Sequence, residues 1–172
     1  VKHHGISINV AIVYVLARAA NAITEFRYRI RGEEVVEHEV VHPSTTIMGE
    51  QDLFTFCTFD YYEEFSIFAE KARERITYMQ VNPSVENDLD LDELLYMTAI
   101  PWVSFTGFMH PIDLNPVDSV PRFAWGKFFE QGDHLKMPLS VQAHHALMDG
   151  VHMGRYYEKV QTLLHHPDFI VG

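Results

Sequence analysis

The stretch Leu139 to His152 dictates a strand, a quick return and a helix within a few residues. Leu139 to Val141 is a short apolar run that reads as a strand. Asp149-Gly150 then opens a helical pattern that continues to about Leu164. The loop between them carries the histidine pair His144-His145. A histidine titrates near neutral pH, so a positioned imidazole can take a proton from an alcohol or thiol. Asp149, a few residues further on, can order the loop that holds that imidazole. Gly150 permits backbone angles that a Cβ would forbid.

The rest of the chain alternates strands with a few helices. Ile8 to Phe26 reads as a helix with Val10, Tyr14, Val15, Ala17 and Ile23 on a broad apolar face, capped by Ser7 or Asn9. Arg27 to Ile30 and Glu34 to Val41 alternate like strands around an Arg31-Gly32 turn. His42-Pro43-Ser44 breaks that pattern, and Thr45 to Met48 and Phe54 to Phe59 resume it across a Gly49-Asp52 turn. Glu63 to Met79 is a second helix, with Phe65, Phe68, Ala69, Ala72 and Ile76 on one face. Val81 to Asp92 is a polar loop, and Leu94 to Val103 is β-like up to Pro101. Met109 to Pro121 is an extended, proline-containing loop. Phe123 to Phe129 and Leu135 to Ala143 form a hairpin around Glu130-Asp133. Internal repeats and linkers are absent, so residues 1–172 read as one α+β domain with a mixed, largely antiparallel sheet packed with helices.

Charge and cysteine content narrow the partners. A net charge of −11 opposes binding to nucleic acid or to an anionic membrane surface. A phosphate-bearing cofactor would need a local basic patch against that field. No segment approaches the roughly 20 apolar residues of a membrane span. The single cysteine, Cys57, excludes an internal disulfide framework and fits a reducing cytoplasm.

The paired histidines with Asp-Gly, His144-His145-Ala146-Leu147-Met148-Asp149-Gly150, resemble the His-His-x-x-x-Asp-Gly motif of the chloramphenicol acetyltransferases. Thr98-Ala99-Ile100-Pro101-Trp102-Val103, Gln131-Gly132-Asp133-His134-Leu135 and Leu139-Ser140-Val141-Gln142 occur in that family's order, so the resemblance covers nearly the whole chain. Ala143 and Val151 depart from it, standing where the family usually has a larger aliphatic and an aromatic. The resemblance implies a CoA-dependent acyltransferase fold and a homotrimer with active sites between subunits. It also implies acetyl-CoA as co-substrate, chloramphenicol as leading acceptor, antibiotic resistance as the consequence, and a cytoplasmic location. Family members carry an N-terminal segment before the helix that begins here, and Val1 is not an initiator methionine, so the chain reads as lacking that segment.

Residue by residue, the resemblance makes His145 the general base that deprotonates the acceptor hydroxyl as it attacks the thioester. Asp149 holds the histidine's loop, in the family by pairing with an arginine of the N-terminal segment; it also suits a cap for the last helix. His144 reads as structural. Thr98 stands where the family has a hydroxyl that hydrogen-bonds the tetrahedral oxyanion. Phe54 and Phe108 line the acceptor pocket, and Trp102 flanks the pantetheine arm. Arg122 occupies a position expected to be an aliphatic pocket residue. Lys127 lies near the coenzyme A phosphates and Phe128 near the adenine.

Two alternatives keep the fold: an acetyltransferase for another alcohol, motivated by Arg122, and a trimeric binding protein without turnover, motivated by the unassigned partner of Asp149. A zinc site among the eleven histidines lacks both cysteine partners and an HExxH spacing, so no metal is expected. Asp88 to Glu93 lacks the glycine and distal glutamate of a calcium loop and reads as solvated.

Overall fold

The computed structural model describes residues 7–48, 54–83, 91–113, 115 and 117–170. Helix α1 spans Ile8–Asn21 and buries ten residues between Val10 and Ala20. A single apolar face was expected. The helix is instead buried nearly all round, because it packs against the sheet and both other helices. It also ends earlier than expected. The Asn21 side chain donates to the carbonyls of Ala17 (3.0 Å) and Val41 (2.9 Å) and accepts from the Val41 N–H (2.9 Å). Ile23 is then extended, and a short 3₁₀ turn, Thr24–Arg27, leads into the first strand.

Strands β1 (Tyr28–Arg31) and β2 (Glu34–Glu37) form a separate antiparallel ribbon, with Gly32 at φ 64° in its turn. The main sheet has five strands. They are β3 (His42–Met48), β4 (Phe54–Thr58), β5 (Leu94–Ile100), β6 (Arg122–Gly126) and β9 (Leu139–Gln142), in the order β4-β3-β5-β6-β9. The two central pairings, β3 with β5 and β5 with β6, are parallel; the two outer pairings are antiparallel.

Pro43 was expected to interrupt the chain, but β3 runs through it. Proline removes only a donor. Pro43 lies next to the strand's first residue, and its carbonyl accepts the Phe59 N–H at 2.9 Å. The expected Phe123–Ala143 hairpin is divided. β6 and β9 pair in the sheet, while β7 (Phe129–Gln131) and β8 (His134–Lys136) form a two-stranded ribbon beyond it, turning at Gly132 with φ 60°. Gly126 marks the division. A Cβ there would lie 2.6 Å from the Val103 carbonyl oxygen and 2.8 Å from Pro138 Cγ, so only glycine admits this approach.

Side chains alternate across the sheet. Leu95, Met97, Phe123 and Trp125 point to the helices and join α1, α2 (Phe65–Val81) and α3 (Gly150–His165) in the core. Tyr156 of α3 stacks on Phe26 at 4.7 Å and fills the centre. Tyr96, Thr98, Arg122 and Gln142 face the other way by register. Arg29 is fully buried. Its guanidinium donates to the carbonyls of Phe26, Tyr28, Asp92 and Leu94, which ties the β1 ribbon to the start of β5. Burial lowers its pKa to about 10, and nearby Asp92 opposes part of that shift, so it stays charged at neutral pH.

The expected Gly49-Asp52 turn, His3-His4 and residues 88–90 of the Asp88–Glu93 segment lie outside the described residues, while Asp92 pairs with Arg31 at 2.7 Å.

Candidate active site

The connection from β9 to α3 is built on two buried anchors. Leu147 and Met148 insert into the core, and their N–H groups donate to the His144 carbonyl at 2.9 and 3.2 Å. The chain between them and β9 therefore bulges outward. His145 sits at the crest of this turn with its side chain 89% exposed, and its Nδ1 faces Asp149 Oδ1 at 3.5 Å. A proton on Nδ1 facing that carboxylate leaves the Nε2 lone pair directed outward. His144 is half-buried, and its Nδ1 accepts from the Ala146 N–H at 3.3 Å.

Asp149 occupies the N-cap position of α3. Its N–H donates to His152 Nδ1 at 2.9 Å, and His152 Nε2 lies 3.3 Å from Glu25 Oε1. Accepting at Nδ1 requires neutral His152 to carry its proton on Nε2, toward Glu25. The start of α3 is thus pinned to the segment after α1. This role of His152 was not expected from the sequence. Its spacing after Asp149, a polar side chain at N3 reaching back to the N-cap N–H, is the available signal. Gly150 needs no unusual backbone angle: it is the first residue of α3, and a Cβ there would meet nothing within 4 Å. The expectation of a conformational role for this glycine is corrected accordingly.

A crevice of about 410 Å³ opens beside this turn, lined by Phe108, Ser140, Gln142, His145, Asp149 and Met153 among others. Its far wall belongs to the long loop between β5 and β6, and β9 ties that wall down. Ser140 Oγ donates to the Phe108 carbonyl at 2.7 Å. The Gln142 amide accepts from the His110 N–H at 2.8 Å and donates to the His110 carbonyl at 3.2 Å. Ser140 and Gln142 are two residues apart on a strand, so both point to the face this loop covers. That period is the signal by which their role could be read.

Thr98 lies on the same face of β5, its Oγ1 3.4 Å from His110 Nε2. His110 stands edge-on to Phe108, with ring centroids 4.9 Å apart. Burial, and then the charge of Arg122, lower its pKa below the usual 6.5. Arg122 pairs with the Asp118 carboxylate, donates to the Val120 carbonyl at 3.2 Å and lies 5.3 Å from the centre of the Tyr96 ring. Its charge is therefore largely spent on Asp118.

The remaining predicted residues are dispersed. Trp102 is 69% exposed in the turn after β5. Lys127 is exposed, and its N–H donates to the Val103 carbonyl at 2.8 Å, so Trp102 and Lys127 flank one backbone contact. Phe128 packs partly buried against the core. Phe54 opens β4, at the opposite edge of the sheet from β9, four strand spacings or about 19 Å away. It is 49% exposed. Cys57 is buried, and burial raises its thiol to about 11, so it is no nucleophile. Among the described residues, no group of three or more His, Cys, Asp and Glu side chains could hold a metal ion.

The fold is shared with known acetyltransferases. A chloramphenicol acetyltransferase of Escherichia coli is 34% identical over 156 residues, covering 88% of this chain and 69% of the relative. A solved chloramphenicol acetyltransferase superposes with a TM-score of 0.81 at 28% identity, covering 95% of this chain and 80% of that one. The dihydrolipoamide acetyltransferase of Azotobacter vinelandii shares the fold, with a TM-score of 0.68 at 13% identity over 99% of this chain and 74% of that one. The family model described as chloramphenicol acetyltransferase matches residues 1–161, which contain every strand of the described residues, the crevice and the His145 loop, and the chain belongs to the chloramphenicol acetyltransferase family.

Proposed function

We propose that this chain transfers an acetyl group from acetyl-CoA to a hydroxyl of chloramphenicol, with His145 as general base. Family membership supports the reaction. The observation that carries the residue assignment is the exposed His145 ring on the rim of a crevice, with Nδ1 toward Asp149. The acceptor O–H passes its proton to His145 Nε2 as its oxygen attacks the thioester carbonyl carbon. The tetrahedral oxyanion takes a hydrogen bond from Thr98. The C–S bond then breaks, and the imidazolium returns the proton to the coenzyme A thiolate. Asp149 positions the histidine. Phe108 packs against the acceptor, Trp102 flanks the pantetheine arm, Lys127 meets phosphate, and Phe128 lies near the adenine. The nearness of Trp102 to Lys127 supports a single path for the cofactor arm.

The separation of Phe54 from His145 supports a further part of the proposal. In a homotrimer, the β4 edge of one protomer completes the acceptor pocket at the His145 loop of its neighbour. Among the described residues no helix is long and apolar enough to cross a membrane, which is compatible with a cytoplasmic enzyme.

The test is steady-state kinetics of the purified full-length protein and its His145→Ala variant, with acetyl-CoA and chloramphenicol. The variant is expected to lose about 10² to 10⁴ in kcat. A variant that keeps its rate removes His145 as the base. A wild type inert toward every alcohol tried supports a binding protein instead. His110 beside Thr98 favours one second reading, an acceptor more polar than chloramphenicol. Turnover with other alcohols but not with chloramphenicol selects it.

A further inference from the structure

His110 is the one imidazole within reach of Thr98 among the described residues, and the sequence offered no role for it. It is held on every side. Its backbone N–H and carbonyl are both bonded to the Gln142 side chain, its ring meets Phe108 edge-on, and its Nε2 lies 3.4 Å from Thr98 Oγ1. Gln142 and Phe108 both line the crevice, so the imidazole is fixed by the same side chains that shape the site. Arg122, already paired with Asp118, bears on it from β6. Burial and that charge keep the ring neutral at neutral pH.

A neutral imidazole has one N–H and one lone pair, so the contact can run in two directions. With the lone pair on Nε2, the Thr98 hydrogen is committed to His110 and cannot serve anything else. With the proton on Nε2, His110 donates to Thr98 Oγ1 and leaves the Thr98 hydrogen free. We propose that His110 is a positioning residue that donates from Nε2 to Thr98 Oγ1 and so turns the Thr98 hydroxyl hydrogen toward the oxyanion. This rests on the reading of Thr98 as the oxyanion donor. At 3.4 Å the contact lies at the long end of hydrogen-bond distances. Through it the hydroxyl is both aimed and polarised, since an oxygen that accepts a hydrogen bond becomes a better donor.

The experiment is a double-mutant cycle in the full-length protein: Thr98→Ala, His110→Leu and the pair, with His110→Gln as the variant that keeps a side-chain N–H. Thr98→Ala is expected to lower kcat by about 10² to 10³. His110→Leu is expected to lower kcat by about tenfold, the worth of one ordinary hydrogen bond, with KM for both substrates unchanged. It should have no further effect once Thr98 is alanine, and His110→Gln should recover most of the loss. A His110→Leu effect of equal size in both backgrounds, or one confined to KM, overturns the proposal. If Thr98→Ala keeps the full rate, the oxyanion reading itself fails and takes this proposal with it. A measurement independent of turnover decides the direction of the bond. In ¹⁵N-labelled protein, with His110 assigned by its absence in His110→Leu, Nε2 should give the shift of a protonated ring nitrogen. An unprotonated Nε2 at neutral pH overturns the proposal.

Discussion

At the β9 edge of the sheet the chain closes over what it builds, whereas at the β4 edge it leaves apolar side chains in the open. The β9 loop has Leu147 and Met148 as anchors and His152 as a tie to Glu25, and Tyr157 of α3 donates to the Leu139 carbonyl at 3.2 Å. An exposed histidine thus rests on a rigid frame, which is what a proton-transfer group requires. The β4 edge presents Phe54 about half exposed beside the equally exposed Met48 of β3, with Phe56 edge-on to Phe54 at 5.5 Å. Edge strands that keep apolar side chains in water invite pairing with another surface. The contrast teaches that the proposed base has its whole frame within one chain, while Phe54, also proposed for the acceptor pocket, stands at the far edge of the sheet.

Five outcomes would break or sharpen this contrast. The largest belongs to the closed edge: His145→Ala should cost about 10² to 10⁴ in kcat while the melting temperature stays near wild type, because the side chain is exposed. At the open edge, Phe54→Ser should weaken self-association at least tenfold by sedimentation, with little change in the fold of the protomer. An unchanged oligomer would remove Phe54 from any interface. Gly126→Ala should cost about 1 to 3 kcal/mol in denaturant unfolding, since the new methyl meets the Val103 carbonyl and Pro138. His152→Ala removes the acceptor for the Asp149 N–H and should cost about 1 kcal/mol, with a smaller fall in kcat than His145→Ala.

The smallest effect is one of pH. His110 has a folded pKa below 6.5, so the unfolded chain takes up its proton first as pH falls. The stability it contributes is present above that value and is lost as pH drops toward the folded pKa. His110→Leu should flatten that part of the stability profile, and an unchanged slope would show that His110 titrates normally.

Local pattern sufficed for much of this. The strand-to-helix connection around His144-His145, the start of α3 at Asp149, the three helices and most strands follow from apolar periodicity and turn residues, which act within a few positions. Periodicity could not foresee that β3 continues through Pro43, because tolerance of a missing donor depends on where the neighbouring strands lie. Nor could it foresee the early end of α1, since the Asn21 side chain stops the helix by bonding to Val41, a residue far along the chain.

The sequence alone determined the α+β class and the family resemblance, and it singled out His145 as the candidate base. These rest on residue types at short spacings, where backbone geometry is nearly fixed. Only the tertiary structure decided that Arg122 turns to Asp118, that His110 meets Thr98, that Gly126 rather than Gly150 is the constrained glycine, and that Phe54 stands at the far edge from His145. Those facts depend on strand order and on how one loop lies across the sheet. Contacts between residues distant in sequence are set by packing of the whole core, which no short window of residues contains.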